Sequence, residues 1–125
     1  MIAYSTVGVN DMARSIAFYD AVFAPLGAVR ETTSETWTGY RRAGDRGWFF
    51  LTRPFNRETA TNGNGAMLAF LADNRASVDA FHAAALSHGG VCDGAPGVRK
   101  GMDPIFYAAY VRDPDGAKLC AFVRR

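Results

Sequence analysis

The chain contains the same pattern twice, and this internal repeat restricts its fold more than any other sequence feature. Phe18 and Phe81 lie 63 residues apart, and at the same offset Gly27 aligns with Gly90. Alanine matches between two helical segments arise readily by chance, but a phenylalanine, a helix-ending glycine and a capping site in one register do not. The 125 residues therefore indicate one domain built from two similar halves.

The first half is predicted to form a strand, a helix and three further strands. Ile2 to Val9 is rich in residues that favour β-structure. Asn10-Asp11 offers a helix N-cap, and Pro25 with Gly27 ends the helix. The three strands that follow are predicted at Ala28 to Thr33, Thr36 to Arg42 and Gly47 to Arg53.

The second half follows the same order of elements. A strand is predicted at Ala66 to Leu71, a cap at Asp73-Asn74, and a helix from Ser77 to His88. Val91 to Arg99 is predicted to be a short strand and loop. Phe106 to Val123 then supplies the last two strands.

These last two strands form a hairpin around Asp113-Pro114-Asp115-Gly116, because proline fixes φ and glycine accepts a positive φ. The pairing places Ala109 roughly opposite Cys120. Side chains alternate along a strand, so one face is expected to cover a helix and the other to line a cavity. The cavity face carries Lys118, Cys120 and Phe122, and the helix face carries Leu119, Ala121 and Val123.

The predicted fold class is α+β. Two tandem βαβββ modules, approximately residues 1–54 and 66–125, form a curved, mostly antiparallel sheet with the helices on its outer face. The linker, residues 55–65, is expected to be exposed because it is polar and contains Asn62-Gly63-Asn64-Gly65.

Composition excludes several classes of protein. The chain is 49% hydrophobic and 13% aromatic, which is typical of a globular domain. Its 14 Lys and Arg against 12 Asp and Glu give a net charge of +2, too balanced to indicate nucleic-acid binding. No apolar stretch approaches the ~20 residues of a membrane span, and no signal peptide is apparent. Two cysteines, too few for a disulfide framework, suit a reducing cytoplasm.

Three stretches resemble the vicinal oxygen chelate superfamily, which includes glyoxalase I, extradiol dioxygenases, and fosfomycin- and bleomycin-resistance proteins. They are VGVNDMARSIAFYDAVFAPLG, GAMLAFLADNRASVDAFHAAALSHGG and YAAYVRDPDGAKLCAFV. The resemblance implies paired βαβββ modules and a homodimer. It also implies, for the enzymes of the superfamily, a divalent metal held on the concave face of the sheet.

The metal-ligand positions implied by the resemblance do not carry metal ligands here. Similar sequences have His where Tyr4 and Met67 stand, and Glu where Cys120 stands. Aligning Gly47 with Gly116 places Leu51 at the fourth position. Because histidine and carboxylate ligands suit the divalent metals of these enzymes, we expect neither a metal nor another cofactor.

Aromatic residues on the predicted strands suggest a pocket for a planar or partly apolar small molecule, since tyrosine and tryptophan combine apolar bulk with one polar tip. Arg99 is a candidate for a charge at the rim. Cys120 is interpreted as a small buried residue, with a reactive thiol as the alternative. His82 and His88 are interpreted as structural or solvated residues. The predicted ligand-binding residues are Tyr4, Trp37, Tyr40, Leu51, Met67, Arg99, Tyr107 and Cys120.

Three functions are compatible with these features. The first is a metal-free protein that binds a small, neutral or anionic molecule, as the slightly basic chain suggests. The second is a glyoxalase-like lyase or isomerase, or a dioxygenase, acting on a small metabolite without the usual metal ligands; it rests on the resemblance alone. The third is a dimeric interaction module.

Overall fold

The computed structural model describes all 125 residues. It contains two α-helices, one 3-10 turn and eight strands. In chain order the elements are β1 Tyr4–Gly8, α1 Met12–Phe23, the 3-10 turn Ala24–Leu26, β2 Ala28–Thr33, β3 Trp37–Arg42, β4 Trp48–Thr52, β5 Leu68–Leu71, α2 Arg75–Ser87, β6 Val91–Val98, β7 Phe106–Arg112 and β8 Lys118–Arg124. Neither helix has the length and apolar character needed to cross a membrane.

The strands form two four-stranded sheets with the same topology. Sheet A has the order β1-β4-β3-β2, and sheet B has the order β5-β8-β7-β6. In each sheet the first strand of the module pairs parallel with the last, and the remaining pairs are antiparallel. The predicted α+β fold of two βαβββ modules is confirmed, with two separate sheets in place of one continuous sheet.

Both helices begin at the predicted capping sites. Asp11 accepts a hydrogen bond from the backbone N–H of Arg14 at 3.0 Å, and Asn74 accepts one from the N–H of Ser77 at 2.8 Å. These side chains satisfy backbone donors that the first helical turn leaves without partners. The capping residues of the sequence therefore fix where each module turns from strand to helix.

The two modules share a single hydrophobic core. Phe70 of sheet B contacts Phe23 of α1, with ring centroids 5.0 Å apart, and Phe49 of sheet A at 5.5 Å. Phe18 and Phe81, the pair that marks the repeat, are both fully buried in this core. The helix-side faces of both sheets therefore contribute to one interior.

The other face of each sheet points away from the helices, and we call these faces open face A and open face B. Open face A carries Tyr4, Thr6, Gly8, Trp37, Gly39, Arg41, Trp48, Phe50 and Thr52. Open face B carries Phe106, Ala108, Tyr110, Lys118, Cys120 and Phe122. The predicted two-face pattern of β8 matches this arrangement. The predicted pairing is wrong by one residue, because Tyr110 lies opposite Cys120 and Ala109 opposite Ala121.

The hairpin turn is closed by the buried carboxylate of Asp113. One oxygen accepts hydrogen bonds from the backbone N–H groups of Asp115 and Ala117, both at 2.9 Å. The other accepts from the hydroxyl of Tyr19 on α1 at 2.7 Å. Gly116 adopts φ +87°, the left-handed conformation that the turn sequence predicts. Burial raises the pKa of the Asp113 carboxyl, although these hydrogen bonds act in the opposite direction.

Asp115 holds the same turn against the start of α1. Its side chain is 3% exposed and pairs with Arg14 Nη2 at 2.8 Å. It also accepts a hydrogen bond from Asn10 Nδ2 at 3.0 Å. Two carboxylates of one turn in the second module therefore bind the helix of the first.

The Tyr19 contact gives a direct test of this connection. In Tyr19→Phe the ring remains in the core, but Asp113 loses a buried charge-assisted hydrogen bond, which is worth about 1.5–3 kcal/mol. We expect urea unfolding to show a loss of this size. Tyr40→Phe is the matched control: its hydroxyl also donates to a carboxylate, Asp20, at 2.8 Å, but that side chain is 40% exposed. Equal losses in the two variants would contradict the special role of the turn.

Candidate functional site

Four aromatic side chains form a cluster on open face A. The rings of Trp48 and Phe50 are stacked, with centroids 5.4 Å apart and planes 9° apart. Tyr4 meets Phe50 edge-on at 5.7 Å, and Trp37 meets it edge-on at 5.4 Å. Tyr4 and Trp37 remain 59% and 43% exposed. The cluster is therefore an aromatic surface that solvent and small molecules can reach.

The sequence builds this cluster through strand alternation and one glycine. Along β4, Phe49 enters the core and Phe50 turns outward. Gly39 lies opposite Phe50 on β3, where a Cβ atom would come within 2.6 Å of the Phe50 ring and 2.8 Å of Thr32 Oγ1. Only a residue without a side chain leaves room for the ring across the sheet.

The segment between the modules forms a wall beside the aromatic cluster. Asn10 Oδ1 accepts a hydrogen bond from the N–H of Ala60 at 2.7 Å, and Ala60 is buried. Asn62 Nδ2 donates to the carbonyl of Asp115 at 2.7 Å. The predicted exposed linker is indeed largely exposed, as Phe55 shows, but two asparagines fix it in place.

Two adjoining cavities lie along this wall, and together we call them the groove. One, of about 610 Å³, is lined by Thr6, Trp37 and Thr52 of open face A together with residues 53–56 and 58–61. The other, of about 770 Å³, extends to Arg14 at the start of α1 and includes Arg57. Trp37 lines both cavities, so the groove is continuous with the aromatic cluster.

The groove carries excess positive charge. Arg53 and Arg57 line it, and neither forms an ion pair with a carboxylate. Arg14 is neutralised by Asp115. Glu58 is the single acidic residue of the lining. Two free guanidinium groups against one carboxylate make this region attractive to an anion.

A cation–π contact lies beside the aromatic cluster. The Arg41 guanidinium lies 4.4 Å from the centroid of the Trp48 ring and pairs with Glu31 at 3.0 Å. A guanidinium over an indole is a favourable cation–π contact that also keeps the ring in place. Open face A therefore presents a stacked aromatic surface, which Arg41 helps to keep in place, beside a positively charged groove.

Open face B has a different character. Arg99 and Lys118 both lie over the Tyr110 ring, at 5.0 and 5.4 Å from its centroid. Cys120 lies opposite Tyr110 and is only 1% exposed. Burial raises the pKa of its thiol to about 11, so the thiol remains protonated at neutral pH.

The predicted ligand-binding residues fall on different surfaces. Tyr4 and Trp37 lie on open face A, whereas Arg99 and Cys120 lie on open face B. Met67 lines a smaller cavity, of about 240 Å³, between β1 and β8. No hydrogen bond, ion pair or ring contact connects the two open faces. The structure therefore brings together only part of the predicted set.

Three of the predicted residues lie on the helix side and need correction. The Tyr40 hydroxyl donates to Asp20 of α1, and burial is the main cause that raises its pKa. Leu51 is fully buried in the core. The Tyr107 hydroxyl donates to Asp79 of α2 at 2.6 Å. None of these three side chains reaches an open face.

The misplacement of Leu51 comes from the turn alignment. Trp48 begins β4 directly after Gly47, whereas Ala117 separates Gly116 from β8. Strand pairing gives the correct correspondence, because Thr6 faces Phe50 in sheet A just as Ala69 faces Cys120 in sheet B. The residue equivalent to Cys120 is therefore Phe50.

The corrected set of four positions does not fit the superfamily's divalent metal. Tyr4, Phe50, Met67 and Cys120 offer a phenol, a phenyl ring, a thioether and a protonated thiol in place of imidazoles and carboxylates. No group of three or more His, Cys, Asp or Glu side chains is placed to hold a metal ion.

The predicted ligand-binding set omits Trp48, Phe50, Arg53 and Arg57, although Trp48 and Phe50 are among the strand aromatics that suggest a pocket. Residues 48–51 of β4 are all apolar, so alternation does not reveal which pair faces outward. The two arginines reach the groove because Asn10 holds Ala60 from 50 positions away. No local sequence pattern predicts that contact.

Comparisons with solved structures place this fold among known proteins. A glyoxalase/bleomycin resistance protein from Albidiferax ferrireducens T118 is 41% identical, with a TM-score of 0.89 over 100% of this chain and 99% of the other. A lactoylglutathione lyase from Agrobacterium tumefaciens is 19% identical, with a TM-score of 0.68 over 98% and 92%. TnmS3, an antibiotic binding protein from Streptomyces sp. CB03234, is 20% identical, with a TM-score of 0.66 over 100% and 96%.

No curated protein matches the chain. The sequence profile of the Glyoxalase/Bleomycin resistance protein/Dioxygenase superfamily matches residues 1–121, nearly the whole length, which agrees with the two βαβββ modules. The chain therefore belongs to the glyoxalase/bleomycin resistance protein/dioxygenase superfamily.

Proposed function

We propose that this protein binds a small, planar, anionic molecule in the groove on open face A, without a catalytic metal. The observation that carries the proposal is the exposed aromatic cluster around Phe50, which adjoins a groove lined by unpaired arginines. An aromatic surface and a positive rim together select for flat ligands that carry a negative charge.

The aromatic cluster supports the planar part of this proposal. Trp37 lies at the junction of both cavities, and its exposed ring offers an apolar surface to a ligand. Phe50 packs edge-on against the Trp37 ring and keeps it in place. An aromatic pair contributes about 0.5–1.5 kcal/mol beyond the area it buries. A ligand ring stacked on Trp37 gains this energy without reorganising the site.

The arginines support the anionic part. A guanidinium presents planar N–H donors that match the two oxygens of a carboxylate. Arg57 and Arg53 are available for this role because no protein carboxylate neutralises them. The carbonyl of Glu35, 3.4 Å from Arg53 Nε, is the one hydrogen-bond acceptor that either guanidinium has within the chain. A bound carboxylate would therefore supply a counter-charge that the chain does not.

A structural relative shows that this fold is compatible with a binding role. TnmS3 is described as an antibiotic binding protein, and it has the same fold. This structural likeness supports small-molecule binding as the general type of function.

The enzymatic alternative, a glyoxalase-like lyase or isomerase or a dioxygenase, would use Tyr4, Tyr107 or Cys120 as acid or base, and two of these three are unsuited to that role. The Cys120 thiol remains protonated at neutral pH because burial raises its pKa to about 11. Tyr107 donates to Asp79 on the helix side. A general acid or base needs a pKa near the working pH and contact with the substrate, and neither residue meets both requirements.

We also propose that the protein is a homodimer. Met67 and Leu71, which lie outside the aromatic cluster, leave apolar surface exposed beside and on the edge strand β5 of sheet B, as an interface with another chain does. A second copy that packs against this edge would bury that surface and leave the groove open. Sedimentation equilibrium at micromolar concentration should give twice the chain mass, and the mass of a single chain would contradict this proposal.

Binding should depend on both parts of the groove. By calorimetry, we expect naphthoate, a planar carboxylate, to bind saturably and naphthamide, its uncharged analogue, to bind at least about tenfold more weakly. Trp37→Ala and Arg57→Gln should each weaken naphthoate binding by about tenfold, since each removes one of the two kinds of contact. Arg46→Gln is the matched control, because Arg46 is an exposed arginine outside the groove. Equal affinities for the acid and the amide would contradict the proposed charge selection.

Metal content gives an independent test. Protein purified without chelators is expected to contain less than stoichiometric Zn, Ni, Mn or Fe by elemental analysis, because the four positions lack suitable ligands. Treatment with a chelator should leave naphthoate binding unchanged. One equivalent of any of these metals per chain, lost together with binding, would overturn the metal-free proposal.

A further inference from the structure

An exposed thiol lies in contact with an imidazole beside sheet B, away from the groove. Cys92 on β6 places its Sγ atom 3.1 Å from Nε2 of His82 on α2. Cys92 is exposed, whereas the other cysteine, Cys120, is buried on open face B. The pair therefore combines a nucleophilic atom, a neighbouring base and access from solvent, which are the requirements for a reactive cysteine.

The surroundings of the imidazole favour its role as a proton acceptor. Partial burial lowers the pKa of His82, although Asp79 acts in the opposite direction, so the ring is neutral at neutral pH. With its proton on Nδ1, the neutral ring accepts the thiol proton at Nε2. Tyr107 and Arg75 also lie on this side: the Tyr107 hydroxyl donates to Asp79 at 2.6 Å, and the Arg75 guanidinium lies 4.8 Å from the centroid of the Tyr107 ring.

The remaining charges near Cys92 are paired with one another. Asp93, the next residue, lies 3.0 Å from Arg112 and 3.3 Å from Lys118. Neither Arg112 nor Lys118 forms a hydrogen bond or ion pair with Cys92, whose side-chain partner is His82. Among the neighbouring side chains, His82 is thus the one placed to take the thiol proton.

We propose that Cys92 and His82 form a site of thiol–disulfide exchange with low-molecular-weight disulfides, a role independent of the groove. His82 Nε2 takes the thiol proton, and the Cys92 sulfur attacks one sulfur of the disulfide. A new S–S bond forms as the original S–S bond breaks. The second sulfur leaves as a thiolate, which takes the proton back from His82. One disulfide and one thiol are consumed and one of each is produced, so no further oxidant is needed.

The product is a stable mixed disulfide on Cys92. Resolution within the chain would require a second thiol, but the chain has two cysteines, and Cys120 is buried on the far side of sheet B. The burial that raises the pKa of the Cys120 thiol to about 11 also makes it a poor nucleophile. The modification therefore persists until an external thiol removes it.

Oxidised glutathione is the probe for the test, with peptide mass spectrometry to locate and time the modification. In the intact protein at pH 7, we expect glutathione on Cys92 and none on Cys120. The C120S variant should react at the wild-type rate. H82Q and H82A should both react at least about tenfold more slowly. General-base catalysis contributes about 10²–10⁴-fold to a rate when it is fully effective, so this loss corresponds to partial assistance by the imidazole. At about pH 10 the difference should vanish, because hydroxide then takes the thiol proton in place of the imidazole.

The pH comparison separates base assistance from a merely structural effect. A variant that only blocks access to Cys92 would react slowly at both pH values. That result would overturn the proposal, as would wild-type rates in H82Q and H82A at pH 7. Preferential modification of Cys120 would also overturn it, since it would show that exposure and the imidazole do not determine reactivity.

Discussion

Two buried carboxylates on one β-turn connect the halves of this protein. Asp113 closes the turn and receives the Tyr19 hydroxyl, while Asp115 binds Arg14 and Asn10 at the start of α1. A carboxylate taken out of water is costly unless hydrogen bonds compensate for the lost hydration. Here backbone N–H groups of the turn itself supply part of that compensation. Tyr19, Arg14 and Asn10 supply the rest, and they do so only when the two modules are docked together.

The docking determines which surfaces remain for function. Because the helix-side faces of both sheets share one core, the open faces are the surfaces left for a ligand or another chain. Asn10 links this arrangement to the groove, since it contacts Asp115 through Nδ2 and Ala60 through Oδ1. One side chain thus takes part in joining the modules and in holding the wall of the proposed binding site.

The elements that were predicted well depend on local chemistry. Asp11 and Asn74 cap the helices, and Gly116 accepts the positive φ of its turn, because these preferences act within a few residues. The internal repeat also predicted the topology, because two halves with the same capping and core positions are expected to form the same βαβββ unit. Fold class and most element boundaries could therefore be inferred from the sequence.

The site was harder to predict because it depends on which face each residue takes and on distant contacts. A shift of one residue moves a side chain to the other face, and this is how Leu51 was assigned the place of Phe50. Tyr40 resembles a pocket residue in sequence, but its partner Asp20 lies 20 positions away on α1. The groove arginines depend on the Asn10–Ala60 contact, which no periodic pattern encodes.

The most direct measurement uses the two tryptophans of the chain, because Trp37 and Trp48 both belong to the aromatic cluster on open face A. Their intrinsic fluorescence reports on this surface without a label. Addition of a planar aromatic carboxylate is predicted to change the emission saturably, with one site per chain. A linear, non-saturating change, equal for the acid and its amide, would show that the ligand merely collides with exposed rings and would contradict the account.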